Sequence, residues 1–383
     1  MERLHALTGG LALRAVDTFD PLATALRREL GPASTVETAT PDAVRLISRV
    51  SDATDPPAAD AWSGDAGDAQ RVGRIGDRLV SNGPGGWFSV DREEGCTTIR
   101  VGPDVRTWTL VRDVVRPLVQ VSGHARGVAV AHASAIARGG QGVMVAGWSE
   151  SGKTEVALAL AERGAVFVGD KWTIVVPTAA GASGTPTMGP YPSSVGIRDW
   201  VLPFLPRFSA HLGASRKARL AAGTGASAIG RTVSSIGARH RATDAILAPI
   251  GQLGSLAATL RLPSSAVRQA YGQPAEVGEL PLNVAVLLTT VDAGTKPSIA
   301  PVDPAVASSR LARSGAYERR ALHLLGERAR YHFADGAPVP GFAEAAVEAS
   351  VLERLLETVP TFEVRTPFPA DPGPAADLIL SVL

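Results

Sequence analysis

The chain has 383 residues, 45% of them hydrophobic and 20% charged, which is the make-up of a globular protein with enough apolar material for two or three cores. A formal net charge of +1 leaves no global field to recruit nucleic acid or a membrane surface, and a single cysteine, Cys96, excludes an internal disulfide and a thiolate zinc cluster. No run of 18 or more apolar residues occurs, and Met1-Glu2-Arg3-Leu4-His5 lacks the basic-then-apolar form of a signal peptide, so the expectation is a cytoplasmic enzyme.

Residues 1–105 read as a small α+β module. Leu11–Val16 is a strand, and Asp20–Leu30 a helix with Pro21 at a first-turn position that tolerates it. Asp52–Asp68, rich in Asp, Ala, Pro and Gly, reads as an exposed loop. From Arg71 to Val101 the pattern changes to a β-meander: Arg78–Ser81, Gly86–Val90 and Thr97–Val101, with turns at Asn82-Gly83 and Glu94-Gly95. Trp87 and Phe88 fit core packing better than a ligand platform, and the module carries no recognisable chemistry.

Residues 106–383 read as an α/β domain. Leu110, Val111, Val114, Val115 and Leu118 give Thr107–Val121 helical spacing, with a kink at Pro117. Gly127–Ala137 is a strand, turned by Gly139-Gly140 into Gly142–Ala146, a short apolar run of the kind buried in parallel sheets. Glu155–Arg163 is built of helix formers and stopped by Gly164, and Ala165–Asp170 is a further strand, expected to be parallel and to end in a carboxylate.

Between Ala146 and Glu155 lies Gly147-Trp148-Ser149-Glu150-Ser151-Gly152-Lys153-Thr154. It fits G-x-x-x-x-G-K-[ST], the loop whose backbone N–H groups cradle nucleotide phosphates. Strand, glycine loop and helix together aim a helix N-terminus at an anion. In that geometry Lys153 reaches the β- and γ-phosphates of ATP, and the Thr154 hydroxyl serves Mg2+. Of the 38 Lys and Arg residues only Lys153, Lys171, Lys217 and Lys296 are lysine, so a compact ammonium stands in the loop of a chain that uses arginine nearly everywhere else. Asp170, at a strand end beside the loop, is placed to organise the metal or the acceptor.

Residues 207–272 carry Arg207, Arg216, Lys217, Arg219, Arg231, Arg239, Arg241, Arg261 and Arg268 against one acid, Asp244. This Arg-rich insertion, mobile or loosely helical by its Gly, Ala and Ser content, is either a solvated surface or a cover that grips a phosphate-bearing acceptor. Val284–Leu288 is a strand, Val306–Leu325 and Phe342–Thr358 are helices, Thr361–Arg365 a closing strand and Ala375–Leu383 a last helix. Tyr331, His332 and Asp335 lie between two helices, where a metal site is the less favoured reading.

The stretch His132–Trp172 resembles the catalytic core of the HPr kinase family, P-loop kinases that phosphorylate a protein serine. The shared features are a histidine 21 positions before the loop lysine, a glycine turn, the loop followed at once by Glu155, a helix ending Arg163-Gly164 and a strand ending in acid. The resemblance implies a P-loop core of the HPr kinase type, preceded by the small α+β module. It places His132 beside the transferred phosphate, whereas a histidine between alanines on an apolar strand is by itself more often a buried structural residue, a balance that the 21-residue spacing reverses. It makes Asp170 the first of two adjacent aspartates and puts Lys171 at the second, the position from which the family takes its proton acceptor. The family's metal-binding glutamate would fall near Tyr191 and is absent.

The expected function is therefore transfer of the ATP γ-phosphate to a hydroxyl of a protein, a peptide such as a natural-product precursor, or a small molecule, with Lys153, Asp170 and His132 as catalytic residues. Thr154 and Asp170 would hold the metal, and the family's habits imply a homo-oligomer. The alternative is a nucleotide-binding regulatory or scaffold protein in which Lys171 has displaced catalysis.

Overall fold

The computed structural model describes residues 2–32, 34–35, 44–47, 58–59, 61–63, 70–93, 96–178, 184–213, 259–332 and 345–383. Two large sheets dominate it. The first is built from β1 (Glu2–Ala6), β2 (Ala12–Val16), β3 (Ser34–Thr35), β4 (Val44–Ile47), β5 (Ala61–Ser63), β6 (Arg71–Ile75), β7 (Arg78–Gly83), β8 (Gly86–Glu93) and β9 (Cys96–Val101). Its order is β3-β1-β2-β4-β9-β8-β7-β6-β5, with β4 parallel to both neighbours and the other pairs antiparallel.

Helix α1 (Asp20–Leu30) has the bounds expected, with Leu22, Leu26 and Leu30 buried on one face. The meander also forms, but its first turn is Pro84-Gly85. Asn82 and Gly83 pair with Trp87 and Gly86 and so belong to the strands. The turn expected at Glu94-Gly95 lies outside the described residues. Part of the expected loop at 52–68 is instead strand β5, paired with β6.

The inner face of this sheet, with Leu13, Leu46, Leu79, Val90 and Ile99 fully buried, packs on the segment that follows. That segment is α2 (Thr107–Leu110), a π-helical turn Val111–Val115, and α3 (Arg116–Val121). The expected kink takes the form of this widened turn, directly ahead of Pro117, which has no N–H to continue the ladder. The same apolar cluster runs on into Val130, Trp172, Ile174 and Tyr191, so one core joins the first sheet to the second.

The second sheet contains β10 (Ala129–Ala131), β11 (Ala133–Arg138), β12 (Gln141–Gly147), β13 (Val166–Gly169), β14 (Thr173–Val176), β15 (Thr187–Pro190), β18 (Leu280–Val291), β19 (Ser298–Pro301) and β20 (Thr361–Pro367). Its order is β10-β14-β15-β18-β12-β11-β13, with β20 also on β18 and β19 on β20. A separate ribbon pairs β16 (Ser194–Arg198) with β17 (Thr259–Pro263). The helices are α4 (Lys153–Glu162), α5 (Pro206–Ala210), α6 (Ser264–Ala270), α7 (Pro304–Glu318), α8 (Arg320–His332), α9 (Ala345–Leu356) and α10 (Gly373–Leu380).

Four expectations change here. The strand expected at Gly127–Ala137 is two strands with different partners, broken at His132. Strand β13 runs in the direction of β12, as expected, but its partner is β11, which lies antiparallel between the two because the Gly139-Gly140 turn, both glycines at positive φ, folds β11 back on β12; the parallel neighbour of β12 is β18. The helix expected at Val306–Leu325 is two, meeting at Arg319, whose side chain turns inward to pair with Glu348 of α9. The ends of the Arg-rich insertion are also packed: Phe208, Val267 and Tyr271 are core residues, and Arg268 is buried, donating to the carbonyls of Val168, Pro274 and Ala275. Arg216, Lys217, Arg219, Arg231, Arg239 and Arg241 lie outside the described residues. Tyr331 is solvent-facing on α8, and Asp335 is not among the described residues. Among the described residues no helix is long and apolar enough to cross a membrane.

Candidate phosphate-binding site

Strand β12 ends at Gly147 and helix α4 begins at Lys153, so the glycine-rich motif forms the turn between them. Two of its residues take left-handed backbone, Glu150 at φ 61° and Gly152 at φ 90°. At Gly147 the constraint is space: a Cβ there would fall 2.4 Å from Ser151 Oγ and 2.9 Å from the Leu288 carbonyl. The Lys153 ammonium folds back over the turn, donating to the carbonyls of Gly147 at 3.3 Å and Trp148 at 2.5 Å. Burial pulls its pKa down to about 8, while the carboxylates of Asp170, Glu318 and Glu155 act in the opposite direction. Ser151 Oγ is buried and has no hydrogen-bond partner among the described residues.

Asp170 follows β13 and is buried beside the start of α4. Thr154 Oγ1 lies 2.9 and 3.0 Å from its two carboxylate oxygens, and Ser134 Oγ of β11 donates to Oδ1 at 2.5 Å. The backbone N–H of Lys171 also bonds the carboxylate, and Ser193 Oγ donates to the Asp170 carbonyl at 2.5 Å. Burial pushes the Asp170 carboxyl above its ordinary value, and these donors hold it back. Glu155, one residue past Thr154 and 6% exposed, is pushed up to about 7, chiefly by burial and further by the charge of Asp170.

His132 stands at the bend between β10 and β11, its ring 5.3 Å from that of Trp172. Its Nδ1 is 2.8 Å from Ser314 Oγ, which in turn donates to the Gly147 carbonyl at 2.9 Å. A hydroxyl has one proton to give, so Nδ1 carries the hydrogen and Nε2 keeps a lone pair. Nε2 lies 4.0 Å from Glu318 Oε1. Burial first, then the positive charges of Lys153, Lys171 and Arg319, hold the imidazole well below 6.5 and therefore neutral. The Gly147 carbonyl thus receives both Lys153 and Ser314, which joins the histidine to the loop.

The structure brings Lys153, Thr154, Asp170 and His132 together around the glycine-rich turn, with Lys153, Asp170 and His132 buried. Of the other loop positions, Trp148 turns outward, half exposed against Tyr317, and the Glu150 carboxylate pairs at the surface with Arg198, so these two contribute backbone. Beside the loop lies a cavity of about 380 Å³, bordered by Trp148, Ser149, Ser151, Leu288, Thr290 and Arg310. A separate cavity of about 320 Å³ lies between the β7–β8 turn, α2 and α8. Ser134, Ser314 and Glu318 are site residues that sequence reasoning missed. Ser134 had a weak signal, a hydroxyl within an alanine-rich strand two residues past His132, and the other two had none.

No protein-family model matches the chain, and no curated protein does. Among solved structures it aligns with the HPr(Ser) kinase/phosphatase from Coxiella burnetii at 10% identity, over 66% of this chain and 89% of that one, with a TM-score of 0.27. That is a distant likeness, and the chemistry of the site rests on its own contacts.

Proposed function

We propose that the protein is a phosphotransferase that seats ATP on the Gly147–Thr154 loop and passes the γ-phosphoryl group to a hydroxyl of a protein, a peptide or a small molecule. The observation that carries this reading is the convergence of Lys153, Thr154 and Asp170 at a strand–loop–helix turn. The loop N–H groups, the unpartnered Ser151 hydroxyl and Lys153 bind the phosphate oxygens, the ammonium exchanging two carbonyls for charged acceptors. Thr154 and Asp170 offer a hydroxyl and a carboxylate 2.9–3.0 Å apart, hard oxygen donors that suit Mg2+. The ion, when bound there, would neutralise phosphate charge.

Asp170 is already engaged by Ser134, Thr154 and the Lys171 N–H, so the proton acceptor is assigned to His132 Nε2. The acceptor O–H gives its proton to Nε2, the oxygen forms a bond to the γ-phosphorus, and the bond from that phosphorus to the β–γ bridging oxygen breaks to release ADP. Glu318, 4.0 Å from Nε2, steadies the imidazolium that results.

The test is γ-labelled ATP with Mg2+ and panels of peptides and hydroxylated metabolites. The parent labels an acceptor, and Lys153→Ala does so about 100-fold more slowly or worse. Equal transfer by the variant would refute the mechanism. A second reading has one observation in its favour: the residue after Asp170 is a lysine, which can bind phosphate and cannot act as a carboxylate base. A regulatory nucleotide-binding protein would bind ATP without transfer, and Lys171→Asp would then raise activity.

A further inference from the structure

The Gly147–Thr154 loop has two flanks, because β12 has a different neighbour on each edge. On one edge lies β11, whose Ser134 meets Asp170 and, through it, Thr154. On the other lies β18, parallel to β12 and in register with it, so that Gly147 stands opposite Leu288. The carboxyl ends of these two parallel strands open on the cavity of about 380 Å³. A crevice at such strand ends is where α/β sheets hold ligands, and the volume falls within the range of small-molecule sites, about 300–1,000 Å³.

One face of α7 closes this cavity. Arg310, Leu311, Ser314 and Tyr317 are spaced i, i+1, i+4 and i+7 along the helix and so lie on the same side of it. Ser314 ties that face to the Gly147 carbonyl at 2.9 Å, Arg310 and Leu311 border the cavity, and Tyr317 packs on Trp148 with ring centroids 5.0 Å apart. Trp148 borders the cavity and Tyr317 does not, so the tyrosine backs the indole from the far side, with the Arg320 guanidinium 4.8 Å from the tyrosine ring. Despite that packing the indole is 51% exposed, a large apolar ring left open at the cavity edge. The lining holds one cation among the described residues, and it is already neutralised: Arg310 donates to Glu363 Oε1 at 2.6 Å, as does the Thr289 hydroxyl at 2.7 Å. Leucines and hydroxyl residues make up most of the remainder. Such walls have no free charge for an anion and suit a neutral, planar ring with hydrogen-bonding edges. The Ser151 hydroxyl, buried and unpartnered among the described residues, belongs both to the loop and to the lining, so the cavity adjoins the place assigned to the phosphates.

We propose that this cavity seats the nucleoside of the phosphate donor, its base stacked on Trp148, while the phosphates cross the loop toward Thr154 and Asp170 on the opposite flank. This rests on the phosphotransferase reading above and adds to it the part of the donor that is not phosphate. The loop alone recognises any polyphosphate; the Trp148 wall makes the donor a nucleotide.

The experiment is calorimetric titration of the full chain, in Mg2+, with the non-hydrolysable ATP analogue AMPPNP and with inorganic tripolyphosphate. The parent binds AMPPNP at least about tenfold more tightly than tripolyphosphate. Trp148→Ala weakens AMPPNP about tenfold or more and leaves tripolyphosphate within about twofold, which also shows that the loop of the variant is intact. Trp148→Phe, which keeps a ring, recovers most of the loss. The proposal is overturned if tripolyphosphate binds the parent as tightly as AMPPNP or more so, a result that leaves the phosphate loop standing. It is also overturned if Trp148→Ala keeps its affinity for both ligands or loses both in equal measure. Should the parent bind neither ligand, the function proposed above falls, and titration with adenosine decides the cavity. Adenosine binding that is lost in Trp148→Ala and kept in Lys153→Ala sustains the nucleoside seat, and any other pattern overturns it.

Discussion

Glu155 supplies a test of the site's electrostatics that needs no substrate. Its carboxyl is 6% exposed in the first turn of α4 and is pushed from 4.5 to about 7, burial being the main cause. In the unfolded chain it ionises near 4.5, so over the interval the folded protein holds a proton that the unfolded chain has released. The stability this proton contributes is fully present below about 4.5 and is lost as pH rises through about 7. At about 1.4 kcal/mol for each tenfold the loss comes to about 3 kcal/mol. Glu155→Gln keeps the shape and removes the titration. Urea unfolding at pH 5, 6, 7 and 8 should find the variant within about 1 kcal/mol of the parent at pH 5 and about 3 kcal/mol more stable at pH 8, with equal denaturant slopes. Two stability curves running parallel across that range would refute the reasoning. Because a bound phosphate further disfavours the carboxylate, nucleotide binding at pH 7 should draw a proton into the parent and none into the variant. Calorimetry in buffers of different ionisation enthalpy measures that uptake.

Two further substitutions probe the contacts that converge on the loop. Ser314→Ala removes the hydroxyl between His132 Nδ1 and the Gly147 carbonyl and leaves a buried N–H unpaired; a loss of about 1–3 kcal/mol in urea unfolding is expected, with the imidazole 15N spectrum moving from a pure Nδ1–H tautomer to a mixture. Glu348→Ala leaves the Arg319 guanidinium buried without its counter-charge and should cost about 3–5 kcal/mol, read in the same unfolding assay; a loss under about 1 kcal/mol would show that the pair is solvated.

The glycine-rich loop is legible because every part of it is local. Gly147, Gly152, Lys153 and Thr154 act through a turn of eight residues, and the apolar run before it and the helix formers after it declare a strand and a helix from composition alone. Helix α1 was equally clear, its leucines recurring every four residues after Pro21. Asp170 was legible as a strand end, and the crevice it would reach followed from its position after the loop helix.

What tertiary structure decided is whatever depends on contacts between distant segments. The neighbour of β13 is not legible, because an apolar run names no partner: β13 runs in the direction of β12 as expected, yet its bonds go to the antiparallel β11 that lies between them. The bend at His132 exists because β10 and β11 pair with different strands. Its tautomer is set by Ser314, 182 residues away, and Glu318 reaches it only because α7 ends over the loop. By itself the sequence determined the glycine-rich turn between a strand and a helix, since backbone geometry over eight residues suffices to build one. Protonation and partnership around that loop were settled by the fold, because burial and charge are summed over neighbours that only three-dimensional packing brings together.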